Sequence, residues 1–397
     1  MYLTRLQLEQ FRLYEHLELD IPLDGLRLSG RNASGKTSVL EALVLLSTTR
    51  SPRTSADREL VRWGSGEEYG VPPYARLEAQ VFTTNRVNRV GINLEIDAER
   101  QLNQRKEYML NGDQVRALDL VGVLKTVLFT PEDVLLVTGT PAERRRQLDI
   151  FVSQFDRAYL TSLAQFTRVL AQRNQLLKRY ARERRSERDP AAVTEMSFWD
   201  DQLISSGAYV VATRLQVVRE LSIEMGRRSE ALVDGASVGM AYQPRLTWEG
   251  DGSEYGNKVL RESVAARFAK DIDAARRDEY RRGMTLVGPH RDEISFLIDG
   301  RSLSAYGSRG QQRLGVVAFR LAQIGILEAH TGERPVLLLD DVFSELDDMH
   351  RDMLIAAVTQ FGCQVFLTSA EADVLGHSGL AHLRGADVEK GLIHLID

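Results

Sequence analysis

The chain has 397 residues, 43% of them hydrophobic and 27% charged, with 51 Lys or Arg against 56 Asp or Glu and a formal net charge of −5. That is the balance of a folded chain of about two or three domains, and it excludes wholesale disorder, collagen-like and low-complexity architectures. It also excludes a globally basic nucleic-acid binder, though not a local basic face.

Apolar residues mostly alternate at Leu3, Leu6, Leu8 and Phe11, and again at Leu17, Leu19 and Ile21, which predicts strands. A short strand over Asp24 to Leu28 leads into a small-residue loop, Ser29 to Gly35, and then a helix, Lys36 to Ser47. Alternating runs follow at Arg76 to Phe82 and Val87 to Ile96, with a turn at Asn111-Gly112. From about Pro141 the period changes. Leu148, Val152, Phe155, Tyr159, Leu163, Phe166 and Leu170 form one helical stripe. The segment Arg168 to Arg188 is strongly basic, and Asp189-Pro190 breaks it. A second helix is expected over Phe198 to Arg228, then a small β excursion over Asp234 to Tyr255 and a helix over Asn257 to Arg282. An α/β pattern returns with strands at Glu293 to Ile298, Pro335 to Leu339 and Gln364 to Leu367. No stretch reaches the roughly 18 apolar residues of a membrane span, so no membrane partner is expected. Met1 to Arg12 carries charge, unlike a signal peptide. The single cysteine, Cys363, is expected in the core and excludes a disulfide framework. A reducing cytoplasm is the expected compartment.

Gly30-Arg31-Asn32-Ala33-Ser34-Gly35-Lys36-Thr37-Ser38 contains G-x-x-x-x-G-K-[ST] between a strand and a helix. Glycines let successive N–H groups wrap a phosphate. Lys36 supplies charge to the β- and γ-phosphates, the Thr37 hydroxyl suits Mg²⁺, and the helix adds its positive end. Near the other end of the chain, Val336 to Leu339 reads as a buried parallel strand delivering Asp340 and Asp341. Ligands bind at the carboxyl ends of such strands. There Asp340 is placed to hold Mg²⁺ and Asp341 to activate water. A third element, Ser308-Arg309-Gly310-Gln311, opens a helix. It is either a plain N-cap or a reader of a γ-phosphate bound to a partner subunit.

Together with Ser344-Glu345-Leu346-Asp347, these elements resemble an ABC-type ATPase head, and within that class the chain resembles the RecF family, related to SMC proteins. The carrying residues are Phe11 to Tyr14, Ser51 to Thr54, Glu59 to Gly64, Phe129 to Asp133, Arg144 to Arg146 and Gly288 to Asp292. The fold the resemblance implies is α/β: an ABC/SMC-type P-loop ATPase head, residues 1–145 plus 284–397, with an inserted antiparallel helical arm, residues 146–283. It implies an ATP- and Mg²⁺-dependent homodimer that closes on single-stranded, gapped or double-stranded DNA and opens on slow hydrolysis. Ser308, Arg309, Gly310 and Gln311 would face the partner's nucleotide, and Ser344 and Asp347 would form the D-loop. It further implies work with RecR and RecO in loading RecA at gaps and stalled forks during the DNA-damage (SOS) response. The chain departs from transporters of the class at three places: Arg309 stands where they have Gly, Asp341 where they have Glu, and Thr368-Ser369 where they have a switch histidine. Thr130 or Glu132 stands near the usual Gln. A short-armed, SMC-like DNA-bridging protein is the alternative; an arm of roughly 60 Å leaves no room for a long zipper.

Other candidates have two readings each. Arg12 reaches either the nucleotide or a DNA phosphate, or is a solvated strand end. Arg53, Arg58 and Arg62, and in the basic run Arg184 and Arg185, either contact DNA phosphates or form solvated faces. Arg144 to Arg146 are expected to pair with acids at the head–arm junction. His290 and Arg291 either touch a ligand or shape a turn.

Overall fold

The computed structural model describes residues 1–67, 70–96, 104–229, 235–248, 252–253, 256–345, 348–370, 380 and 382–396. They divide into two compact units, Met1–Asp133 with Val316–Asp397, and Val134–Gly315. In chain order the first unit begins with β1 (Tyr2–Phe11), β2 (Tyr14–Asp20), β3 (Gly25–Ser29), α1 (Lys36–Thr48), β4 (Tyr74–Phe82), β5 (Val87–Ile96), β6 (Gln104–Leu110), β7 (Asp113–Val115), α2 (Ala117–Leu120) and β8 (Thr126–Phe129). The second unit holds α3 (Leu135–Thr138), α4 (Pro141–Ser153), α5 (Arg157–Glu183), α6 (Pro190–Ser229), β9 (Val238–Gln243), α7 (Asn257–Arg282), β10 (Glu293–Ile298), β11 (Arg301–Ser302) and α8 (Leu303–Tyr306). Helix α9 (Arg309–Thr331) leads back to the first unit, which ends with β12 (Val336–Asp340), α10 (Asp348–Phe361), β13 (Val365–Ser369), β14 (Arg384–Glu389) and β15 (Leu392–Ile396).

Two sheets build the first unit. One has the order β15-β14-β3-β13-β12-β8, parallel throughout except for β15 at its edge. Strand β12, between β13 and β8, is apolar from Val336 to Leu339 because both of its faces are covered. The other, β2-β1-β4-β5-β6-β7, is antiparallel. There Leu3, Leu6 and Leu8 face inward, as the alternation requires. Helix α1 packs against strands of both sheets, which explains why Val39 to Leu46 lack a polar face: every residue is buried.

In the second unit α5, α6 and α7 pack on one another, and β9, β10 and β11 form a small antiparallel sheet. The apolar stripe from Leu148 to Leu170 is two helices. Helix α4 stops at Ser153, and Asp156 caps α5 by accepting from the Tyr159 N–H at 2.8 Å. Periodicity survives the break, so it concealed it. Pro190 starts α6 instead of merely ending the basic run, as a first-turn proline does. Within this unit Arg144 pairs with Glu293 at 2.7 Å, and β9 pairs along β10.

Two buried charge clusters lock these helices. Arg173, fully buried, donates to Asp200 at 2.8 Å, Glu279 at 2.6 Å and Thr285 at 2.8 Å. Arg214 donates to Asp149 at 2.8 Å and to the Pro289 carbonyl at 2.7 Å. Removing one partner of such a pair leaves a buried charge and costs about 3–5 kcal/mol. Among the described residues no helix is long and apolar enough to cross a membrane.

Candidate functional site

The phosphate-binding motif sits where β3 ends and α1 begins. Gly30 has φ 142°, and a Cβ there would lie 2.3 Å from the Val388 carbonyl on β14. Gly35 has φ 119°, and a Cβ there would lie 2.9 Å from the Tyr14 hydroxyl. Only glycine fits either place. The loop is held from both sides: Tyr14 donates to the Gly35 carbonyl at 3.0 Å, and the Gly391 N–H donates to the Ser34 carbonyl at 3.1 Å. Burial pushes the Tyr14 phenol well above its ordinary pKa, so it stays a donor. Arg31, Asn32 and Ala33 are exposed on the rim, whereas Ser34, Gly35, Lys36 and Ser38 are buried.

The Lys36 ammonium donates to the carbonyls of Gly30 and Arg31, the latter at 2.9 Å. Burial lowers its pKa, opposed by the nearby charges of Asp341, Asp340 and Asp387. Because β12 and β13 are parallel neighbours with Asp340 opposite Thr368, three oxygens meet. Asp340 Oδ1 accepts from Thr37 Oγ1 at 2.9 Å and from Thr368 Oγ1 at 2.7 Å. Burial raises the Asp340 pKa, opposed by those two hydroxyls and the Arg53 charge, with Glu132 acting in the same direction as burial. Asp341 has φ 49°, its N–H donates to the Thr368 hydroxyl at 3.1 Å, and its carbonyl accepts from Ser344 Oγ at 2.8 Å.

These residues fit a nucleotide phosphate and a hard cation. The Ser34 hydroxyl is buried in the loop without a hydrogen-bond partner among the described residues. A glycine-walled cradle, one ammonium and a hydroxyl–carboxylate pair form the donor set that phosphate oxygens and Mg²⁺ require. Among the described residues no His, Cys, Asp and Glu cluster offers another metal site.

The remaining candidates fall into different surroundings. Arg12 does not present a free cation: it pairs with buried Glu41 at 2.6 and 2.9 Å and donates to the Glu59 carbonyl at 2.7 Å. Ser308 and Gln311 form a reciprocal cap on α9, the Ser308 N–H donating to Gln311 Oε1 at 2.9 Å and the Gln311 N–H to Ser308 Oγ at 3.2 Å. Ser308, Arg309 and Gly310 are exposed. Asp347 lies outside the described residues. Arg53 and Arg58 are exposed, while Arg62 pairs with Glu15 at 3.1 Å. Arg184 is exposed, but Arg185 pairs with Glu183 at 2.9 Å and lies over the Tyr180 ring. Arg291 donates to the Thr285 carbonyl at 3.0 Å, shaping the turn. Cys363 is half-buried, and burial pushes its thiol up to about 12.

Sequence reasoning missed three neighbours of the site. Thr368 was visible only as a residue standing where a histidine is usual, not as the hydroxyl that holds Asp340. Asp387 enters because β14 pairs with β3 and sets it opposite Ser29. Asp133 accepts two bonds from Arg320 of α9, at 2.7 and 2.9 Å, and so fixes the turn carrying Thr130 and Glu132. No spacing rule could reveal these pairings.

Known proteins are similar to this chain in sequence and fold. The family model for the RecF/RecN/SMC N-terminal domain matches residues 2–390. The DNA replication and repair protein RecF of Thermomicrobium roseum is 45% identical over 381 residues, 94% of this chain and 95% of that protein. The solved structure of the recombination mediator protein RecF with ATP, from the RecFOR pathway, superposes with a TM-score of 0.82 at 26% identity, covering 100% of this chain and 98% of that one. The Smc head of Pyrococcus furiosus with an extended coiled coil shares the fold at a TM-score of 0.52 and 15% identity, covering 100% of this chain and 96% of that one. The fold is therefore that of a RecF/SMC ATPase head, and identity this high along nearly the whole length means that the chain belongs to the RecF family.

Proposed function

We propose that this chain is an ATP-driven DNA-binding switch of recombinational repair and replication. The carrying observation is the Thr37–Asp340 contact at 2.9 Å, which joins the phosphate loop to the carboxylate strand from opposite ends of the chain. The names borne by its relatives support the repair role, as does a 26%-identical RecF solved with ATP.

In this reading the backbone N–H groups of residues 30–38 bind the phosphates and Lys36 turns from the Gly30 and Arg31 carbonyls to the triphosphate. Thr37 and Asp340 would hold Mg²⁺, which neutralises charge developing on the phosphates. Asp341 orients and deprotonates the attacking water. Ser308 and Gly310 serve the nucleotide of a second copy, with Ser344 and Asp347 beside it, so two sites close only when two heads meet. Hydrolysis is weak, stimulated by DNA, and opens the pair. RecR and RecO are the partners through which RecA loading follows, in the cytoplasm. The division into a head of 1–145 plus 284–397 and an arm of 146–283 belongs to the same proposal.

Thr368 then holds the hydrolytic carboxylates in place. Thr368→Val removes one hydroxyl bond to Asp340 and one from the Asp341 N–H, and a bond to a charged group contributes about 1.5–3 kcal/mol. Steady-state assays should show kcat down at least tenfold with the ATP KM within about twofold, and Thr368→Ser should restore it. Equal loss in both variants would assign Thr368 to packing alone.

The test of the whole reading is mass in solution by light scattering, with Mg²⁺ and no nucleotide, ADP or ATP, repeated with gapped DNA. A dimer with ATP alone, strengthened by DNA, is expected. A monomer under every condition would leave Ser308 and Gly310 without a phosphate to bind and would end the switch reading.

A further inference from the structure

One end of the second unit gathers cations that its sequence alone does not bring together. Helix α7 ends at Gly283, whose φ is 67° and whose N–H donates to the Glu279 carbonyl at 2.8 Å. A Cβ on Gly283 would lie 3.3 Å from the Lys178 Cα and 3.4 Å from the Ala181 Cβ. The last turns of α5 and α7 therefore lie side by side. The Tyr180 and Tyr280 rings, 5.3 Å apart, are turned inward, and both hydroxyls donate to the Ala192 carbonyl, at 3.2 and 3.3 Å. With Leu176, Leu177 and Met196 they form a small core of their own. The end is thus a fixed platform.

The charges on it sort into two groups. Arg179 pairs with Glu195, Arg185 with Glu183 and Asp189, and Arg281 with Asp278. Lys178, Arg182, Arg184, Arg188 and Arg282 are exposed and have no carboxylate partner among the described residues. Against them stands one unpaired carboxylate, the half-buried Glu187. Cations in a last turn offset the helix dipole, which accounts for Arg182 and Arg282. It does not account for Lys178 within α5, nor for Arg184 and Arg188 in the turn that follows.

We propose that this end of the helical unit is a docking surface for the phosphate backbone of duplex DNA. The proposal rests on the DNA-binding reading above and names a surface for it. Two adjacent helices present a face about 20 Å wide, which spans roughly six phosphates of one strand. On α5 and α7 the platform exposes cations and buries its rings, Tyr180 and Tyr280 among them, while the exposed Phe198 of α6 is set edge-on to Trp199. Backbone neutralisation therefore fits and base stacking does not. An acidic protein segment would also meet the charge, but protein interfaces are anchored by buried aromatic side chains, and the cation-bearing helices α5 and α7 expose none.

The test uses the full chain with ATP and Mg²⁺ and fluorescence anisotropy on an ungapped duplex across a salt series. The variants are Lys178→Glu with Arg282→Glu, and, in case reversal disturbs folding, Lys178→Gln with Arg282→Gln. Arg86→Glu with Arg301→Glu controls for net charge. Loss of two phosphate contacts should lower the slope of log affinity against log salt by about 2. Affinity at low salt should fall roughly tenfold, with ATP affinity unchanged and the control close to the parent. Parent-like slopes in both variants would overturn the proposal while leaving DNA binding intact. Loss of binding to a polyglutamate peptide with duplex binding preserved would overturn it in favour of an acidic protein. A parent chain that binds no duplex at all would overturn this proposal and the DNA-binding reading together.

Discussion

Lys36→Ala should abolish tight ATP binding, the largest single effect expected from any substitution in the chain. The Lys36 ammonium is part-buried against backbone carbonyls, with its pKa already lowered by that burial. A cation partly withdrawn from water is costly unless an anion offsets it. Asp340, Asp341 and Asp387 supply part of that compensation, and in the proposed mechanism the triphosphate supplies the rest. Removing the ammonium takes away two charge-assisted bonds to phosphate, each contributing about 1.5–3 kcal/mol. It also leaves three carboxylates facing an incoming polyanion. Calorimetric titration should show the ATP Kd rising at least a hundredfold, and light scattering should show no ATP-dependent dimer. The unliganded fold should hold, because alanine removes a desolvated charge and leaves Tyr14 and Gly391 bracing the loop. A variant that still dimerises on ATP addition would remove Lys36 from the site.

The phosphate loop was legible because its chemistry is local: Gly30, Gly35, Lys36 and Thr37 are neighbours in sequence and need only a strand before and a helix after. Asp340 was legible because a continuous apolar strand ending in a carboxylate is itself a pattern. What joins the two was not legible. Thr368 reaches Asp340 because β13 lies in parallel register beside β12, and strand order is not written in spacing. Charge partners were hidden for the same reason. Arg12 looked free until the fold set Glu41 beside it, and Arg185 until the fold set Glu183 and Asp189 beside it. The break between α4 and α5 was hidden by a stripe that continues through Gln154 to Asp156. The basic end of the second unit was half visible: α5 showed its charges in one run, while Arg282 joins them only through the packing of Gly283 on Lys178.

Asp341→Asn should bind ATP and then stay closed. The position makes the substitution unusually clean. Asp341 sits at φ 49°, a left-handed conformation that asparagine tolerates as well as aspartate. Its backbone is pinned through the Thr368 hydroxyl and Ser344 Oγ, so the side chain can lose its charge without moving the chain. Asp340, Thr37 and Lys36 keep their contacts, and with them the phosphates and Mg²⁺ keep their ligands. The charge of Asp341 favours the Lys36 ammonium, and removing it makes that ammonium more dependent on phosphate, which keeps ATP bound. The capacity to take a proton from water disappears, and general-base catalysis of this kind contributes about a hundredfold to ten-thousandfold. Single-turnover assays should show hydrolysis down by at least that lower figure, with ATP Kd within about threefold of the parent. Light scattering should show a dimer that persists after free ATP is removed, where the parent returns to monomer. Because aspartate is one methylene shorter than the glutamate of transporters, the parent itself is expected to turn over slowly, so the contrast must be read over many parent turnovers. Normal hydrolysis in Asp341→Asn would exclude this carboxylate as the base and pass the role to Glu132, whose charge also acts on Asp340.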